Sequence, residues 1–467
     1  MRNLVLKYIS TRGQAPKLSF EGAMLSGLAR DGGLYVPERF PKFTKAEMRA
    51  LRGKPYAEVA FAVCSKYTVG SIPAKDLKAM IAAAYATFDH AAVVPLKQLG
   101  ANDFLLELFH GPTIAFKDVA MQLLSRMMDW SLAKHKRRAV IVGATSGDTG
   151  GAAVAAFEKS ANASLFILHP HGRVSDVQRR QMTTVTSPSV HNIALEGTFD
   201  DCQAIVKALF NDHAFRDGVG LAGVNSINWG RIMAQIVYYF YAGLALGAPD
   251  RAVSFCVPSA NFGNMFAGLV AKRMGLPVDQ FIIATNSNDI LDRAIKTGRY
   301  EVTGVHPTSS PSMDIQVSSN FERLVYLANN RDPATVRAAM GSLAQSQEYT
   351  LKSAAIKAIR AEFTSGAASE AETAATIARV LRETGELVDT HTAVGLHVAS
   401  QQKLKSPLIT LATAHAAKFP DAVKAASGIL PRLPTRLEHL LSAPESFKVL
   451  PNSAQAVKEF ILSHEKR

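Results

Sequence analysis

Between residues 102 and 290 one pattern recurs: a short apolar run, a loop rich in glycine and polar side chains, then a stretch with helical spacing. The apolar runs fall at 104–109, 139–144, 164–168, 190–195, 253–257 and 281–285. Helical stretches occupy 149–159, 174–183, 200–211, 229–246 and 264–274. Strictly alternating segments of this kind predict an α/β fold of mainly parallel sheets flanked by helices. In such folds ligands gather at the carboxyl ends of strands, where loops enter helix N-termini. The flanks keep another rhythm. Residues 1–95 read as a mixed α+β region in which Tyr56, Val59, Ala60 and Val63 share one helical face. Residues 332–385 read as wholly helical, 407–411 as a late strand, and 432–467 as one or two surface helices.

Composition narrows the functional classes. With 48% hydrophobic and 19% charged residues, the chain is an ordinary globular one and not disordered. The net charge of +13 is mostly dispersed; its one cluster, Lys134 to Arg138, precedes a strand and reads as a solvated turn, not a nucleic-acid patch. The excess would instead steer a small anionic substrate. Three scattered cysteines, Cys64, Cys202 and Cys256, fit a reducing compartment without a disulfide frame. No apolar secretory core opens the chain, so a cytoplasmic location is expected. Residues 232–249 carry no charge, but Gln235, Gly243 and Gly247 interrupt them, which predicts a buried helix and no membrane span. His110, His169, His171 and His415 lack metal-ligand spacing, so no metal is expected.

Four places can carry chemistry. Lys117, in Phe-Lys-Asp after a Gly-Pro turn, sits at a strand-to-helix joint among apolar residues. Desolvation there disfavours the ammonium form and makes the amine a nucleophile or proton carrier. A lysine snorkelling to solvent beside Asp118 is the plainer reading of that segment alone. The loop from Gly143 to Gly151, with Ser146, Asp148 and Thr149, opens an alanine-rich helix and presents glycine, hydroxyl and carboxylate groups together. It lacks the endings of a P-loop or a dinucleotide fingerprint. The loop Pro258 to Asn264 follows a strand and could bind a phosphate through successive amides and the side chains of Ser259, Asn261 and Asn264. Asn225, Ser226, Asn228 and Arg231 form a polar cluster where a first-turn arginine opposes the helix dipole unless an anion joins it.

A reactive lysine, an anion loop and a glycine-hydroxyl loop on an α/β sheet suit pyridoxal 5'-phosphate, with Thr413 available to the pyridine nitrogen. Here the chain also resembles the threonine synthase family in its long bacterial and fungal form. The resemblance runs from residue 8 to about 419 through Tyr8–Gly13, Asp31–Pro37, His110–Asp118, Ala144–Gly150, Asn225–Trp229, Pro258–Asn264 and Ala412–His415. It implies the fold type II architecture of pyridoxal-phosphate enzymes, with two subdomains and an N-terminal mixed domain. The domains would be 1–95, a catalytic region 96–430 and a helical tail 431–467; a smaller subdomain would span about 136–224, and a helical insertion about 318–386.

By the same resemblance Lys117 is the Schiff-base lysine, and Ala260, Asn261, Phe262, Gly263 and Asn264 contact the cofactor phosphate while Thr413 contacts the ring nitrogen. Ser146, Asp148 and Thr149 would hold the substrate carboxylate side, and Asn225, Ser226, Asn228 and Arg231 the substrate phosphate. Two positions depart from the family pattern: Ala260 replaces the usual glycine and Ala416 the usual proline. Ala260 would be strained by about 1 kcal/mol if its φ were positive. The implied reaction converts O-phospho-L-homoserine and water to L-threonine and phosphate, in a monomer or weak homodimer with no nucleic-acid or membrane partner. Another lyase of the same cofactor class, such as a dehydratase or phospho-lyase, and a non-catalytic binding homologue are the alternatives.

Overall fold

In the computed structural model, which describes residues 5–145 and 147–465, two parallel sheets organise the chain. The larger sheet has six strands in the order Phe363–Ala367, Val278–Thr285, Val253–Pro258, Leu408–Ala412, Asp103–Glu107 and Leu96–Gln98. All neighbours are parallel except the last pair. The second sheet has five parallel strands in the order Lys448–Pro451, Val190–Glu196, Ala163–Pro170, Ala139–Ala144 and Leu221–Ala222. Strands such as Ala163–Pro170 are buried along their whole length, which is why they read as continuous apolar runs and not as alternating ones.

Helix Trp229–Ala245 packs against helices Tyr56–Thr68, Lys117–Lys134 and Gly263–Arg273. Fifteen of its residues are buried, which explains why the helix carries no charge beyond Arg231 in its first turn. Among the described residues no helix is long and apolar enough to cross a membrane. The N-terminal region closes on this core through helix Tyr56–Thr68, whose Tyr56, Val59, Ala60 and Val63 are all buried as their spacing predicts. Arg323, fully buried, ties three parts together by donating to the carbonyls of Tyr35 and Ile227 and to the side chain of Asn320.

Two stretches expected to be helical contribute strands. Between helices Ser353–Arg360 and Glu370–Thr384, residues Phe363–Ala367 form the edge of the six-stranded sheet, with Phe363 opposite Phe281. Phe-Thr-Ser-Gly-Ala lacks the continuous apolar run of a core strand, but an edge needs only one apolar anchor. Its Gly366 allows close packing, since a Cβ there would meet Val398 Cγ1 at 2.8 Å. Residues Glu348–Thr350 also pair with Arg299–Glu301. In the tail, Lys448–Pro451 pairs with strand Val190–Glu196 and covers an otherwise open edge. Pro451 is tolerated because an edge strand can spare an N–H. Helix Ala454–His464 then buries Val457 and Ile461 against the second sheet's core.

Candidate active site

Three adjacent strands of the six-stranded sheet deliver one group each to a single cleft. Strand Asp103–Glu107 leads through the Gly-Pro turn to Lys117, strand Leu408–Ala412 ends at Thr413, and strand Val253–Pro258 runs into Ser259 to Asn264. From the other sheet, strand Ala139–Ala144 brings Asp148 and Thr149 to the same cleft. The Thr413 segment is pinned to the lysine segment. Phe116 N–H donates to Thr413 O at 2.8 Å and His415 N–H to Ile114 O at 3.1 Å.

The turn before Lys117 folds around Asp118. That buried carboxylate accepts the Thr113 amide and hydroxyl, both at 2.7 Å, and a Cβ at Gly111 would lie 2.5 Å from Asp118 Cβ. Asp118 therefore faces away from Lys117 in function, and the snorkelling pair does not form. Burial pushes the Asp118 carboxyl up, against the pull of the Thr113 bonds.

Lys117 opens helix Lys117–Lys134 with its side chain only 11% exposed. Its Nζ lies 3.0 Å from Asp148 Oδ2 and 3.5 Å from Ser312 Oγ. Burial lowers its pKa below the ordinary lysine value; Asp148 opposes the shift, while Lys418 and Arg231 add to it. Asp148 has no free acceptor. Its Oδ2 also takes the Ser312 hydroxyl at 2.8 Å, and its Oδ1 takes Gln178 Nε2 and Lys418 Nζ, each at 2.9 Å. Burial alone would raise the Asp148 carboxyl, but the two lysines hold it well below the usual carboxylate range. Gly147 makes the approach possible: its φ is +146°, and a Cβ would sit 2.4 Å from the Gln178 amide carbon.

The anion loop is built differently. Its outer carbonyls are occupied, Ala260 O by the Ser318 hydroxyl at 2.6 Å and Asn261 O by the Asn320 side-chain amide at 2.9 Å. The first amides of helix Gly263–Arg273 lack partners within the helix. Beside them Ser259 Oγ and Asn264 Nδ2 are buried without a protein partner, while Asn264 Oδ1 accepts from Tyr239 at 2.9 Å. The strain anticipated at Ala260 is absent there. The positive φ of 59° belongs to Phe262, held by aromatic contacts with Phe321 and Phe363. Ala416 begins a 3-10 turn, Ala416–Lys418, capped by His415.

The other predicted residues divide. Arg231 is 2% exposed, its Nη1 donates to Val224 O at 3.0 Å, and its Nε points at no protein partner. Burial pushes its pKa down to about 10. Ser226 joins it on the cleft. Asn228 does not: its Oδ1 caps helix Trp229–Ala245 through Gly230 N–H and its amide donates to Met24 O and Gly223 O. Asn225 lines a separate apolar cleft with Leu28, Val206 and Phe210. Ser146 lies outside the described residues. Asp148 reaches the cleft, but as the acceptor shared by two lysines, and it offers a substrate carboxylate no hydrogen-bond donor. The sequence reading missed Ser312, His391 and Lys418. His391 accepts Ser312 N–H at Nε2, 3.2 Å away, and its Nδ1 meets Asp389 at 2.8 Å. Only Lys418 carried a local signal, a lysine inside the apolar run Ala-Ala-Lys-Phe.

A desolvated lysine facing unpartnered buried donors at Ser259, Asn264 and Arg231 fits an aldehyde cofactor that carries a phosphate. Comparison with known proteins agrees. Family models described as threonine synthase N terminus, pyridoxal-phosphate dependent enzyme, and threonine synthase C-terminal match residues 7–85, 92–365 and 392–461. A threonine synthase of Pseudomonas aeruginosa is 51% identical over 465 residues, covering 99% of each chain. A crystal structure of threonine synthase from Brucella melitensis with pyridoxal phosphate bound superposes with a TM-score of 0.97 at 58% identity, covering 99% of this chain and 100% of that one. A threonine synthase from yeast gives 0.92 at 39% identity, covering 98% and 99%. The chain belongs to the threonine synthase family, a pyridoxal-phosphate-dependent lyase of fold type II.

Proposed function

We propose that the chain turns O-phospho-L-homoserine and water into L-threonine and inorganic phosphate, with Lys117 as cofactor anchor and proton carrier. The observation that carries this reading is the amine of Lys117, buried beside Asp148 and facing a cleft with three unpartnered donors. When bound, pyridoxal phosphate supplies a carbonyl for amine condensation and a conjugated ring that takes up the electron pair left at the α-carbon. Lys117 Nζ, held by Asp148 and Ser312, is oriented to take the α-proton and later return it. Ser259, Asn264 and the amides from Ala260 to Gly263 would hold the cofactor phosphate, and Thr413, on the same cleft, would serve its ring nitrogen. Arg231 Nε and Ser226 bind the substrate phosphate, which leaves the γ-carbon once the β-carbon has given up a proton; the hydroxyl of water then ends on the β-carbon and the γ-carbon gains a proton. Thr149, on the same cleft, would meet the substrate carboxylate.

We also read the chain as an N-terminal domain to about residue 95, a catalytic region to about 430 and a tail, with the smaller subdomain near 136–224 and an insertion near 318–386. It acts on a small molecule in the cytoplasm as a monomer or weak homodimer. Three buried free cysteines support the reducing compartment. The functional test is incubation with O-phospho-L-homoserine, with phosphate and threonine assayed separately. Equal release of the two is expected. Keto acid or ammonia in place of threonine would reassign the chain to a dehydratase-type reaction.

A further inference from the structure

Lys418 is 0% exposed, an extreme for a lysine, and the cleft chemistry above does not use it. Its ammonium has three acceptors: Asp148 Oδ1 at 2.9 Å, Thr113 O at 3.0 Å and Gln181 Oε1 at 3.0 Å. Every proton on Nζ thus has a place, and the one carboxylate among these partners is the one that also holds Lys117. Two buried lysines divide a single aspartate, one oxygen each. A carboxylate committed to Lys117 alone would keep that amine protonated in a site of low dielectric, unable to attack a carbonyl or accept a proton.

We propose that Lys418 is a positioning residue that acts on Lys117 through Asp148, taking half of the carboxylate so that Lys117 Nζ can work as a neutral amine. The inference rests on Lys117 being the cofactor anchor. Around Lys117 the charged and titratable groups are Asp148, Lys418 and Arg231, with Asp118 next in the chain and His391 and Asp389 behind Asp148. Of these, Lys418 and Arg231 favour the neutral amine, and Lys418 alone also touches Asp148. The anchoring segment and the Lys418 segment are already zipped together at Ala115 and Ala414, so the placement of both amines is fixed by the fold.

The sign follows from charge. Removing the Lys418 cation stabilises a proton on Nζ, so its titration moves to higher pH. The experiment follows the visible absorption of the cofactor-loaded full chain against pH, together with the pH profile of kcat/KM. Lys418→Met should move both midpoints upward by about 1–2 pH units. Lys418→Arg, which keeps the cation, should return them near wild type. Lys418→Gln, which can still donate to Thr113 O, should behave as the methionine variant does and serves if that one does not fold. Midpoints that stay at the wild-type pH in both neutral variants would overturn the proposal, even if activity fell. A Lys117→Ala chain that still held the cofactor covalently would instead sink the reading on which it rests.

Discussion

The two loops that meet over Lys117 are opposites in how their polar groups are spent. In the loop after strand Ala139–Ala144 Thr145 and Asp148 are engaged inside the protein: Thr145 Oγ1 accepts the amides of Gly147 and Gly150 at 2.9 Å each, and Asp148 has four partners. In the loop after strand Val253–Pro258, Ser259 Oγ and Asn264 Nδ2 have none. The first loop is a finished electrostatic device that sets the state of an amine. The second is incomplete as protein, because buried donors of this kind are stable only when a ligand joins them. Glycine and hydroxyl content makes the two look alike in sequence; only the accounting of partners separates a positioning loop from a binding one.

Variants at the meeting point and in either loop can break or sharpen that contrast. The largest effect belongs to Lys117, where both loops converge: Lys117→Ala should lose turnover by about 10³-fold or more, measured as phosphate release. Asp148→Asn strikes the finished loop and leaves two buried lysines without their carboxylate. It should destabilise the cofactor-free chain by about 3–5 kcal/mol in urea unfolding. Asp148 also gives that loop an acid limit. Its carboxyl is depressed in the fold, so its contribution is complete above the ordinary aspartate value of 3.8 and is lost as pH falls toward the folded value. Urea midpoints of wild type and Asp148→Asn should therefore converge only below that pH.

Thr145→Ala in the first loop and Ser259→Ala in the second form the most direct contrast. The first should cost about 1–2 kcal/mol of stability without cofactor, since two amides lose their acceptor. The second should leave that stability unchanged and weaken cofactor binding about tenfold, read by equilibrium titration of the absorption band. Equal losses of cofactor-free stability in the two would erase the distinction. The smallest effect is expected for Ala260→Gly. The left-handed residue is Phe262, so glycine at 260 relieves no strain and costs up to about 1 kcal/mol through the unfolded chain.

Much of this was legible beforehand because strand-to-helix joints announce themselves. Lys117, Thr413 and Asn264 all stand just beyond apolar runs, where a parallel sheet must place its ligand loops. The residues that escaped detection come together only in three dimensions. Ser312 sits at the 3-10 turn Pro311–Met313, His391 at the first turn of helix Thr390–Ser400, and Lys418 in a lone turn after the late strand. The apolar neighbours of Lys418 hint at burial, but nothing local says which carboxylate it meets. Asn228 failed in the reverse direction, since an asparagine ahead of a helix has the same appearance whether it caps or binds. The edge strands Phe363–Ala367 and Lys448–Pro451 were hidden by the helical stretches around them.

The central claim is that Lys117, and not the more deeply buried Lys418, carries the cofactor. Borohydride reduction of the cofactor-loaded protein, followed by proteolysis and mass spectrometry, tests it most directly. The cofactor mass is expected on the peptide containing Lys117 alone. Recovery of that mass on the peptide containing Lys418 would contradict the account.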